Sequence, residues 1–122
     1  MPRNCQNRIG HLSQYTPYQE ISDRELRRVL GDSSGYPVVV TFLADWSGES
    51  MLLETTVKRV LDEFTETYFF KIDLDRYPDL ATKLGVNYAP TTLVNSNGEW
   101  VDVFSGLMPR RRLVERLSEF CS

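Results

Sequence analysis

The sequence predicts an α/β domain built on a central mixed β-sheet flanked by helices. Three observations carry that expectation. Residues 37–44, PVVVTFLA, form a nearly continuous β-branched and aromatic run, the pattern of a strand buried on both faces. Segments of helical period alternate with further strand-like runs on both sides of it. The tetrad Asn95-Ser96-Asn97-Gly98 between two apolar runs is a strong hairpin signal. At 122 residues, the chain suits a single domain that buries about two-thirds of its surface on folding.

Taken in order, residues 1–17 are mostly polar and show no apolar period, so they read as a flexible N-terminal arm preceding a domain over 18–122. Residues 18–21 suit a short strand. Ser22 with Glu25 three residues on forms a capping box ahead of Leu26 and Leu30, and Gly31 is expected to stop that helix. The turn cluster Asp32-Ser33-Ser34-Gly35 leads into the strand at 37–44. Leu53, Val57, Val60, Leu61 and Phe64 recur at helical spacing opposite Lys58, Arg59, Asp62 and Glu63. Residues 68–74, YFFKIDL, suit the next strand. Pro78 opens a short helix whose Leu80 and Leu84 share a face, and Gly85 closes it. Residues 91–94 and 100–104 are the arms of the hairpin. Pro109 opens a last helix with Leu113, Val114, Leu117 and Phe120 as its apolar face. The predicted order is βαβαβαββα, without repeats or low-complexity stretches.

Composition narrows the function classes. Charged residues make up 25% and hydrophobic ones 41%, as in ordinary globular proteins. A net charge of −3, from 14 basic and 17 acidic side chains, argues against a nucleic-acid partner. No apolar run reaches the roughly 20 residues of a membrane span, and residues 1–20 contain no apolar core of a secretory signal. Two cysteines, Cys5 and Cys121, make no disulfide framework, so a cytoplasmic setting is expected. His11 as the single histidine excludes a His-rich metal site, and the sequence assigns no metal and no cofactor.

From residue 37 onward the chain resembles thioredoxin. That family pattern is an apolar strand, a Trp-Cys-Gly-Pro-Cys segment opening a helix, then a strand, a helix and a cis-proline ahead of the final hairpin. PVVVTFLADW, KIDLDRYPDLATKLGVNYAPT and NGEWVDVFSG match these parts in order. The resemblance implies a thioredoxin-like fold, with Trp46 as the active-site tryptophan, Pro90 as the cis-proline and Gly106 as the groove glycine. The departures are at the chemical centre. The redox segment reads Trp46-Ser47-Gly48-Glu49-Ser50, with serine at both family cysteine positions. The family's buried acid falls on Thr41, its lysine partner is retained as Lys71, and the helix-bending proline falls on Thr55.

Dithiol exchange needs a thiolate that attacks a disulfide sulfur, which Ser47 and Ser50 cannot supply, so no catalytic residue is assigned. A hydrolytic serine needs an adjacent base, and His11 lies in the arm; Ser47 reads instead as a helix N-cap, with Glu49 complementing the dipole. Cys5 and Cys121 read as ordinary thiols. Asp73 and Asp75, at i and i+2 of a strand, share a face but lack a third ligand. Lys71 reads as a strand-end lysine whose stem snorkels. Arg110, Arg111 and Arg112 read as a solvated face.

What the resemblance leaves is a surface beside the cis-proline that holds an extended partner segment in a strand-like way. Its matching positions are Trp46, Tyr88, Ala89, Pro90, Gly106 and Leu107, with Tyr88 and Leu107 bulkier than the small residues usual there. The expected function is a redox-inactive thioredoxin-like module, protein-binding or chaperone-like, whose partner is a protein or extended peptide rather than nucleic acid or membrane. Two alternatives are a disulfide oxidoreductase whose two cysteines were replaced by serine, and an enzyme of another class using Ser47 or Cys121.

Overall fold

The computed structural model describes residues 16–33 and 35–122. The arm expected over 1–17, with Cys5 and His11, therefore lies outside the described residues except for Thr16 and Pro17.

Among the described residues ten elements follow one another: β1 (Gln19–Glu20), α1 (Asp23–Asp32), β2 (Val38–Leu43), α2 (Gly48–Val60) with a short 3-10 turn (Leu61–Glu63), β3 (Tyr68–Asp73), α3 (Pro78–Lys83), β4 (Thr91–Ser96), β5 (Glu99–Ser105) and α4 (Arg110–Leu117). They form one five-stranded sheet in the order β1-β3-β2-β4-β5. β1, β3 and β2 run parallel, and β4 and β5 run antiparallel to their neighbours. The mixed sheet flanked by helices is as the sequence predicts.

β2 is the centre. Val38, Val40 and Phe42 point to one face, where they pack with Leu26 and Val29 of α1, Ala81 of α3, and Phe70, Ile72 and Leu93. Val39 points to the other, with Leu53, Val57 and Val60 of α2, Leu113 and Leu117 of α4, and Phe69, Val94 and Phe104. This alternation explains why the run 37–44 lacks a polar face: both sides of β2 are interior. On the second face Arg116 donates two hydrogen bonds to Asp102, at 2.8 and 2.9 Å, and its guanidinium lies 4.7 Å from the centre of the Phe104 ring, which ties α4 to β5.

Local signals act where they were read. Ser22 accepts from the Glu25 amide at 3.1 Å and Glu25 accepts from the Ser22 amide at 2.8 Å, completing the capping box. Pro78 occupies the first turn of α3. Asn97 and Gly98 both have positive φ, 54° and 85°, the two-residue turn whose twist suits a hairpin; β4 accordingly runs two residues beyond the expected 91–94.

Several expectations are corrected. Gly31 does not stop α1, which continues to Asp32 and is capped at Ser33; the left-handed glycine that turns the chain is Gly35, φ +88°. The strand expected over 18–21 shrinks to two residues, because Tyr18 adopts a left-handed φ of 57° that turns its ring into the core. The α2 face stops at Val60, with Phe64 reached through the 3-10 turn. Phe120 lies beyond α4. β3 ends at Asp73, so Asp75 lies in the following turn and the two carboxylates do not share a strand face. Arg110 is not merely solvated: it pairs with Glu63.

The burial predicts a contrast. Phe42→Ala, at a fully buried site, should lower the unfolding free energy by about 3–5 kcal/mol, and Ser22→Ala by about 1 kcal/mol, both read from urea denaturation.

Candidate functional site

Strand register decides what meets what. Leu43 pairs with Asp73, Phe42 with Thr91, and Thr91 with Ser105. The C-terminal ends of β2, β3 and β5 and the start of β4 therefore lie at one end of the sheet. The segments 44–50, 74–78, 86–90 and 106–109 emerge there, and Trp46, Ser47, Ser50, Tyr88, Ala89, Pro90, Gly106 and Leu107 all lie in them.

The start of α2 is organised by two serines. Ser47 is the N-cap, and its hydroxyl oxygen accepts from the Ser50 amide at 3.1 Å. The same hydroxyl donates to the Ala89 carbonyl at 3.1 Å. Ser50, itself buried, accepts the Ala44 amide at 3.1 Å. The strand end, the helix start and the 86–90 loop are thus joined through two hydroxyl groups. A cap of this kind stabilises a helix by about 0.5–2 kcal/mol. The Ser47 proton is directed at a carbonyl rather than a base, so the arrangement does not activate a nucleophile.

The loop on the other side is held as firmly. The Ala89–Pro90 peptide bond is cis. The Gly106 amide donates to the Pro90 carbonyl at 2.7 Å, and Gly106 has φ +89°, a backbone shape that favours glycine. The Thr91 hydroxyl donates to the Tyr88 carbonyl at 2.6 Å. The Tyr88 phenol reaches across to donate to Glu49 at 2.8 Å. That hydrogen bond, and secondarily the carboxylate charge, raise the Tyr88 pKa above its ordinary value.

Of the expected surface residues, Ala89 and Pro90 are buried and Gly106 is half-buried. Trp46, Tyr88 and Leu107 remain 65%, 46% and 42% exposed. The Trp46 indole is nonetheless fixed, because its Nε1 donates to Asp75 at 2.8 Å while the Asp75 amide donates to Asp73 at 3.0 Å. The nearby carboxylates thus serve the tryptophan and its turn.

Beneath the start of α2, Thr41 is fully buried and shares a 2.6 Å hydrogen bond with the Tyr18 hydroxyl. Burial pushes the Tyr18 phenol far above its ordinary range, against the lowering effect of that bond. No group of this pair takes up or releases a proton near neutral pH. Lys71 is not a snorkelling strand-end residue: it sits within β3, pairs with Glu54 of α2, and lies 5.3 Å from the Tyr18 ring centre. Glu54 also lies 3.8 Å from Lys58. A pocket of about 370 Å³ opens beside this pair, with Asp45, Met51 and Asp73 among its lining residues.

Sequence reasoning missed Tyr18, Glu54 and the anchoring role of Asp75. The i,i+4 spacing of Glu54 and Lys58 was a visible signal for an exposed pair, but the cross-element partner Lys71 has no local signature. Met51 and Leu52, both more than half exposed, were also missed. In the run Met51-Leu52-Leu53 a single helix face can take only part of the set, and Leu53 is the buried one.

Cys121 lies buried beyond α4. Burial raises its thiol pKa to about 11, partly offset by a hydrogen bond with Thr67, which is the opposite of an activated thiol.

The thioredoxin family model matches residues 18–119. A thioredoxin of Chlorobaculum thiosulfatiphilum is 27% identical over 103 residues, covering 84% of this chain and 94% of its own. Thioredoxin Y2, a chloroplastic protein of Arabidopsis thaliana, is 36% identical over 90 residues, covering 70% of this chain and 52% of its own. The crystal structure of Fasciola hepatica thioredoxin superposes with a TM-score of 0.77 at 27% identity, covering 84% of this chain and 98% of the other.

Two outcomes follow. Ser47→Ala removes a cap and a loop tether together and should destabilise the domain by about 1–2 kcal/mol in urea unfolding. The raised Cys121 pKa means that the folded state keeps a proton the unfolded chain loses, so stability should fall as pH rises from about 9 to about 11. Cys121→Ala should flatten that fall in denaturation curves collected across the interval.

Proposed function

Since this chain belongs to the thioredoxin family, we propose that it is a member without dithiol chemistry, a protein- or peptide-binding, chaperone-like module acting through the surface beside Pro90. The observation that carries this reading is the division of labour at the sheet end. The two hydroxyls at the start of α2 are buried and hydrogen-bonded within the domain, while Trp46, Tyr88 and Leu107 stay exposed around them.

The chemistry supports it. A helix N-terminus favours an anion by about 0.3–2 kcal/mol, whereas each pKa unit requires about 1.4 kcal/mol, so the dipole cannot turn Ser47 into a thiolate-like nucleophile. Thr41 and Tyr18 offer no proton acceptor below it. What the surface can do is hold chain. An extended segment can lie along the backbone of Ala89, Pro90 and Gly106, and its side chains can bury apolar area against Trp46, Tyr88 and Leu107 at about 25 cal/mol per Å². Binding of this kind draws on shape and apolar area and is independent of sulfur. A reducing, cytoplasmic setting suits the free, buried Cys121 thiol.

Insulin disulfide reduction by dithiothreitol should proceed no faster with the chain present than without it. Reduced, carboxymethylated α-lactalbumin, an unfolded probe, should bind by fluorescence anisotropy and lose about tenfold or more in affinity with Trp46→Ala or Leu107→Asp. Unchanged affinity in both variants defeats the proposal.

A further inference from the structure

Building on that reading, we infer that the segment seated beside Pro90 is basic as well as apolar: an extended stretch in which bulky apolar side chains are flanked by lysine or arginine. Apolar area and charge coincide here. Among the described residues, five of the six large hydrophobic side chains left exposed, all but Val103, lie on the segments that meet at this end of the sheet or on the first turns of α2. The same region carries Asp45, Glu49, Asp73 and Asp75, against which only Arg76 stands in the segments 44–50 and 74–78 and at the end of β3.

These four carboxylates are not neutralised from within. Among the described residues, the ion pairs formed engage Glu54, Glu63 and Asp102 instead. Asp75 and Glu49 accept from neutral donors, the Trp46 indole and the Tyr88 phenol. Those bonds fix the carboxylates beside the aromatic rings without cancelling their charge. Each carboxylate also keeps acceptor capacity for a further donor.

The pocket beside α2 continues the pattern. Met51 belongs both to the exposed apolar set and to the pocket wall, and Asp45 and Asp73 line it as well. The pocket's own cation, Lys71, is committed to Glu54. A lysine or arginine stem can therefore lie along Met51 while its charged head meets Asp45 and Asp73, which is how long basic side chains cover apolar surface. An acidic segment would meet uncompensated like charge, which disfavours it at the same contact.

The test uses the full chain and three synthetic peptides that share one apolar core and differ only in flanks of arginine, glutamine or glutamate. Anisotropy titrations should give the arginine peptide about tenfold tighter binding than the glutamate peptide. That advantage should shrink between low salt and about 150 mM salt, and in the double variant Asp45→Asn/Glu49→Gln. Equal affinity for the arginine and glutamine peptides overturns the charge preference and leaves the binding surface standing. No binding by any peptide, or arginine-peptide binding unaffected by Trp46→Ala, overturns both.

Discussion

The structure depends on the burial of β2 on every side. Its backbone is hydrogen-bonded to β3 along one edge and to β4 along the other, and its side chains alternate into two apolar layers. A one-residue slip would exchange those layers and leave Thr41 where Val40 or Phe42 packs, so the register is strongly specified. Everything at the candidate end of the sheet inherits its position from that register. Because β2 stops at Leu43, the chain turns over into α2 level with the loop that precedes β4, and a serine hydroxyl can reach a carbonyl 42 residues away in sequence.

The polar groups beneath that end form a second, dependent layer. Thr41 and Tyr18 satisfy each other, and Glu54 satisfies Lys71. Both are pairings between elements distant in sequence, and the Thr41–Tyr18 bond gives each buried hydroxyl a partner it would otherwise lack, a cost of about 1–3 kcal/mol. The family's fold is therefore kept while the buried pair beneath α2, Thr41 and Tyr18, carries no group that exchanges a proton near neutral pH. Such an interior can hold the surface above it in one geometry.

The fold was legible because its signals are periodic or local. The run at 37–44 announced a two-sided strand, Ser22 and Glu25 announced a helix start, and Asn97-Gly98 announced the hairpin. The surface residues came from ordered resemblance rather than from any one motif. The failures have two physical sources. Gly31 and Tyr18 were misread because packing of an apolar face overrides a local stop or strand preference. Lys71, Asp75 and Arg110 were misread because an ion pair or anchor between elements leaves no mark in either local sequence. Met51 and Leu52 were visible as surplus apolar residues on a helix that has only one face to bury.

The hydroxyl tether between Ser47 and Ala89 has a consequence for the conditions under which the surface keeps its shape. A thiol pair at such a place alternates between two bonding states as peroxide and glutathione levels change. Alcohols have no comparable second state, so the spacing between the α2 start and the Pro90 loop is indifferent to oxidants. The spacing set by this tether is thus the same under oxidising and reducing conditions, whereas a dithiol pair at that place would change it.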